Sequence, residues 1–89
     1  MAFIVHVKFD PTTLETLATE RLFNLDIEDH WLIEEVRGLI ANHNLVQQDA
    51  ANVKLELMTA NGLIELHDEV TVRDSGLAAE SAIRACLRN

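Results

Sequence analysis

The chain is poor in several residue types, and each shortage excludes something. It has one cysteine, Cys86, in 89 residues. No intrachain disulfide can form, so stability has to come from burial rather than from cross-links. A lone thiol also suits a reducing compartment, which sets the expectation of a cytoplasmic or nuclear location. Lysine occurs only at Lys8 and Lys54, and 7 basic side chains face 15 acidic ones, a formal net charge of −8. Phosphate backbones are bound by clustered Lys and Arg, so nucleic acid is not an expected partner. An anionic membrane surface is disfavoured for the same reason. Uninterrupted apolar runs are a few residues long, too short to span a bilayer as a helix. No basic segment followed by an apolar one opens the chain, so no secretory signal is expected. The 3 glycines are isolated, which rules out a phosphate-cradling loop.

What is present is a hydrophobic fraction of 48%. That suffices for one small domain, residues 1–89, and is too high for a disordered chain. Phe3–Phe9 reads as a first strand, with Phe3, Val5, Val7 and Phe9 on one face and Ile4, His6 and Lys8 on the other. Asp10-Pro11 opens a long connection to Glu20 that has room for a short helical turn at Leu14, Leu17 and Ala18. Arg21–Ile27 is a second strand with Phe23, Leu25 and Ile27 inward. A helix follows, expected to be capped by Asp29, with an apolar stripe of Leu32/Ile33, Val36 and Leu39/Ile40. Trp31 falls off that stripe. Gly38 inside the helix costs about 1 kcal/mol relative to Ala, and is expected to admit a strand at close approach. The helix should end near Asn42-His43-Asn44, with Leu45 and Val46 tucked beneath the following connection.

Val53–Thr59 has the cleanest alternation in the chain, with Val53, Leu55 and Leu57 inward and Lys54, Glu56 and Met58 outward. Asn61-Gly62 is a hairpin signal, and Leu63–Leu66 the return strand. Asp74–Leu77 reads as a turn. Ser81–Arg88 is the last strand, with Ile83, Ala85 and Leu87 inward. The order strand, strand, helix, strand, short strand, strand predicts an α+β roll, a mixed four- to five-stranded sheet packed on one helix. The first and last strands are expected to pair in parallel at its centre.

These residues resemble the ubiquitin-like β-grasp family. Asn24–Ile40 matches its second strand and helix without a gap, with Leu25, Ile27, Ile33, Val36 and Ile40 on the family's core positions. Thr71–Arg88 also matches without a gap, through Asp74, Leu77, Glu80-Ser81, Ile83, Leu87 and Arg88. Phe3–Phe9 is similar to the first strand, Lys8 included. The departures are as informative. The sequence ends Leu87-Arg88-Asn89, without the di-glycine that a conjugated modifier needs. Positions where ubiquitin offers lysines hold Arg37 and Ala79, and Ser75 stands where the family has a tyrosine that ties its turn to the neighbouring loop, which is therefore expected to be looser.

The resemblance implies a non-conjugated protein-interaction domain. Because Met1 is followed almost at once by the first strand, the expected setting is the N-terminal module of a larger adaptor or regulatory protein. The family's binding patch on the outer sheet surface lands on Met58 or Thr59, Arg84 and Cys86, with Leu14 as the loop member. The alternative is a scaffold domain that self-associates weakly, its basic face (Lys8, Lys54, Arg84, Arg88) meeting an acidic one (Asp68, Glu69, Asp74). An enzyme is not expected. His6, His30, His43 and His67 show no metal-ligand spacing, His67-Asp68-Glu69 reads as a polar loop, and Cys86 has no histidine positioned to activate it. Neither cofactor nor metal is expected.

Overall fold

The computed structural model describes residues 1–12 and 19–88. The chain runs through β1 (Ala2–Asp10), β2 (Arg21–Glu28), α1 (Ile33–Ala41), a 3-10 turn at Ala50–Asn52, β3 (Val53–Thr59), β4 (Gly62–Glu65), a second 3-10 turn at Arg73–Ser75 and β5 (Ala82–Leu87). The sheet order is β2-β1-β5-β3-β4. β1 and β5 pair in parallel at its centre, and every other pairing is antiparallel. The expected α+β architecture is therefore present, with five strands.

Alternation dictates the layering. Val5, Val7 and Phe9 of β1, Val53, Leu55 and Leu57 of β3, and Ile83 and Ala85 of β5 all fall on one face and are buried. Against them α1 lays Ile33, Val36, Ile40 and Ala41. Val46, Leu66, Val72 and Leu77 close the margins from the loops, and among the described residues no polar or charged residue is fully buried. Each large aliphatic side chain contributes roughly 1.5–3 kcal/mol on burial, so this layer is the chain's main source of stability in the absence of a disulfide. At the edge of the layer the Phe23 ring stacks on His43, with centroids 3.8 Å apart.

The helix begins later than the capping rule suggested. Its N-cap is Leu32, not Asp29. Leu32 is extended and bridges Thr71, which stops the helix from starting earlier. The first-turn amides find other acceptors: Ile33 donates to the Val70 carbonyl at 2.9 Å and Glu34 to that of Asp68 at 3.3 Å. Glu35 reaches back to accept the Leu32 amide at 3.2 Å. Asp29 instead holds the Met1 amino group at 3.0 Å and Arg73 at 2.9 Å. Those two cations hold its carboxyl down to about 2, the Arg73 bond contributing most.

Other expectations are corrected locally. Leu39 lies outside the buried stripe and Leu45 is exposed, whereas Val46 is buried as expected. Among the described residues no strand approaches Gly38, since a Cβ there would meet nothing within 4 Å. The Asn61-Gly62 hairpin is present, with Gly62 at φ +122°. The helical turn expected around Leu14, Leu17 and Ala18 lies outside the described residues. Ser75 closes its own turn, its hydroxyl donating to the Val72 carbonyl at 2.6 Å and accepting from the Leu77 amide at 3.2 Å. Arg37, largely covered, ties three segments together: it donates to the Ala50 carbonyl and to Asp68, both at 2.7 Å.

Candidate protein-interaction face

The outer face of the sheet is built of cross-strand rows set by register. One row runs Leu22, Lys8, Arg84, Glu56, Glu65 from edge to edge. The next runs Asn24, His6, Ala82, Met58, Leu63. A third, shorter row brings together Asp10, Cys86 and Lys54. Cross-strand neighbours on one face lie about 4.5–5.5 Å apart at Cβ, so each row acts as a unit of surface chemistry.

The first row is ionic. Arg84 donates to Glu56 at 3.0 Å and to Asp10 at 3.2 Å. Lys54 lies 3.9 Å from Glu56, and Lys8 lies 3.1 Å from Glu20. Hydrogen bonds from Thr12, and then the positive charge of Arg84, pull the Asp10 carboxyl below its ordinary range. The second row is mainly apolar. Met58 and Leu63 are exposed side by side, and Ile4 and Leu22 add apolar surface on the far strands. His6 sits in the middle of this row, its Nε2 2.5 Å from Glu80 and its Nδ1 2.7 Å from Asn24. The Glu80 carboxylate first, and Asn24 second, raise its pKa above the usual histidine value.

Register decides how the expected contact residues are arranged. Met58, opposite Ala82, is the outward position. Thr59 falls on the opposite parity and uses its hydroxyl to bond the Gly62 carbonyl at 2.8 Å, closing the turn. Met58 lines a groove of about 470 Å³ with His6, Lys8, Leu22, Asn24 and Ala82. Arg84 and Cys86 line a separate groove of about 470 Å³ with Lys54, Arg88 and Thr12. The expected patch is thus divided between two grooves, with Met58 in one and Arg84 and Cys86 in the other. Leu14 lies outside the described residues. Cys86 is half-buried, its Sγ 3.9 Å from the Lys54 carbonyl.

Of the two charged sets expected to drive self-assembly, the basic one is largely paired within the chain, and of the acidic one Asp68 is. Lys8, Lys54 and Arg84 each have a carboxylate within 4.0 Å, and Asp68 is held by Arg37. Arg88, Glu69 and Asp74 are exposed. Sequence reasoning did not foresee that Leu22 and His6 share one groove with Met58, or that Leu63 stands opposite Met58. The available signal was parity: Leu22 is an apolar residue at an outward position of a strand whose inward set was already complete. Among the described residues no cluster of three or more His, Cys, Asp or Glu side chains is placed to hold a metal ion, and no helix is long and apolar enough to cross a membrane.

One helix packed across a five-stranded sheet with parallel central strands, β2-β1-β5-β3-β4, is a specific topology, and solved structures share it. The ubiquitin-like domain of PLXNC1 superposes with a TM-score of 0.76 at 15% identity, covering 99% of this chain and 100% of that one. The fold is the ubiquitin-like β-grasp. A chain of a pParkin–pUb–UbcH7 complex matches with a TM-score of 0.72 at 20% identity over 99% of this chain, which spans 23% of that one. An Arabidopsis thaliana protein solved from evolutionary couplings and sparse NMR data gives a TM-score of 0.72 at 17% identity, covering 99% of this chain and 88% of that one. No family model matches the sequence, and no curated protein does either. At such identities a shared ubiquitin-like fold says nothing about which surface residues act.

Proposed function

We propose that this ubiquitin-like domain is a protein-interaction module that engages its partner through the outer sheet face. The observation that carries this reading is the apolar row of half-buried Ala82 and exposed Met58 and Leu63 beside the His6–Leu22 groove. A groove with apolar walls and a few polar groups suits a partner side chain, and methionine adapts to varied contacts. Arg84 and Cys86 flank the contact rather than centre it. The setting we favour is an adaptor or regulatory protein in the cytoplasm or nucleus, where the unpaired thiol of Cys86 stays reduced.

The test is affinity capture with the wild-type domain beside Met58→Asp and Arg84→Gln, each first shown to be folded by circular dichroism. Glutamine is the appropriate change at Arg84, because a reversed charge would bring three carboxylates together with Asp10 and Glu56. A partner lost on Met58→Asp and weakened on Arg84→Gln fits the proposal. A partner held equally by all three proteins moves the interaction elsewhere. Self-association receives less support, since most of its basic set is already paired within the chain. A sedimentation coefficient that rises with concentration would restore it.

A further inference from the structure

The helix contains a glycine that this chain's own packing does not require. Gly38 lies in the interior of α1 without the positive φ that demands glycine elsewhere. A Cβ built on it would meet no atom within 4 Å. Alanine would therefore fit and would favour the helix. Gly38 forms the floor of a groove of about 410 Å³ on the side of α1 away from the sheet, walled by Trp31, Leu39, Glu35 and Asn42. Trp31 is half-buried and Leu39 is 43% exposed. Small residues on a helix surface let another element approach closely, and among the described residues no element of this chain does so.

The charge around the groove indicates the occupant. Glu35 is its one charged wall, and its neighbour Glu34 is also exposed. The single basic residue of the helix, Arg37, is occupied by Asp68 and the Ala50 carbonyl. No ion pair among the described residues neutralises Glu34 or Glu35, and the chain carries a net charge of −8. A second copy would set these carboxylates against like charge. We propose that the groove is a second docking surface, separate from the outer sheet face, which takes a basic amphipathic helix. One apolar side chain of that helix lies over Gly38 between Trp31 and Leu39, and a Lys or Arg meets Glu35.

Trp31 is the sole tryptophan and the chain has no tyrosine, so its fluorescence reports on the groove directly. The probe is a synthetic amphipathic helical peptide of Leu and Lys without aromatic residues, beside a counterpart with Glu in place of Lys. The Leu–Lys peptide should give a saturable shift in Trp31 emission, and the Leu–Glu peptide none. Gly38→Leu should weaken binding by about tenfold or more by filling the floor. Glu35→Gln, which keeps an oxygen for the Leu32 amide, should weaken it several-fold at low salt. Met58→Asp should leave it unchanged. Gly38→Ala should raise the melting temperature by roughly 4–8 °C, showing that the glycine does not serve the fold. The proposal is overturned if the Leu–Lys peptide gives no shift, if both peptides respond alike, or if Gly38→Leu binds as the wild type does. Loss of binding on Met58→Asp would place the peptide on the sheet, and self-association abolished by Gly38→Leu would assign the groove to a second copy.

Discussion

Arg37→Met should destabilise the domain by about 2 kcal/mol, and the reason lies in what the guanidinium joins. One nitrogen donates to the Ala50 carbonyl and another to Asp68, each at 2.7 Å, with the Arg37 side chain only 14% exposed. A hydrogen bond from a charged donor contributes roughly 1.5–3 kcal/mol. The ion pair adds about 1 kcal/mol or less, because Asp68 is 40% exposed and solvent screens it. Against these stands Arg37 Nε, which is buried without a partner. Removing that orphan donor returns on the order of 1 kcal/mol. Methionine keeps the apolar stem, so packing changes little. In urea, with a slope near 1 kcal/mol/M for a small domain, the midpoint should fall by about 2 M with the slope unchanged. Asp68→Asn should lower it by less than half as much. A midpoint for Arg37→Met within about 0.5 M of wild type would refute the reasoning. So would an equal loss in Asp68→Asn, because the bond to the Ala50 carbonyl would then not be the stronger of the two.

Ile40→Ala empties a fully buried position between α1 and the sheet and should cost about 2–5 kcal/mol, measured by the same denaturation. Gly76→Ala should cost about 1 kcal/mol, because its φ of +93° strains an L-residue although the space is open to ordinary contact. Asp29 has a folded pKa of about 2 against an ordinary 3.8, so its stabilisation is present above the ordinary value and is lost as pH falls through about 2. Stability measured across that window should decline less steeply in Asp29→Asn. The folded pKa of His6 is raised, so its contribution is present below 6.5 and is lost as pH rises through the folded value. An NMR titration of His6 should move to lower pH in Glu80→Gln, and an unchanged titration would mean that the contact does not form in solution.

The core of the fold was legible because strands and helices repeat their burial with fixed periods. Val53, Leu55 and Leu57 alternate without a break, and β3 spans the residues that this pattern marks. Ile33, Val36 and Ile40 recur at helical spacing, and all three are fully buried. The hairpin at Asn61-Gly62 follows from one glycine at positive φ. The candidate site was less legible, since it depends on residues from different strands meeting in one row. Met58 and Arg84 were each placed outward by parity, but parity does not show that Glu56 and Asp10 bracket Arg84.

The sequence by itself thus determined the element order, the inward faces and the absence of cross-links, because local periodicity and composition carry that information along the chain. The tertiary structure alone decided which side chains became neighbours: His6 with Glu80, Asp29 with Met1 and Arg73, and Arg37 with Asp68. It also revealed that Gly38 faces open space rather than a strand. Such contacts arise from cross-strand register and from the way loops fold back on the helix, and residues far apart in the sequence carry no local mark of their partners.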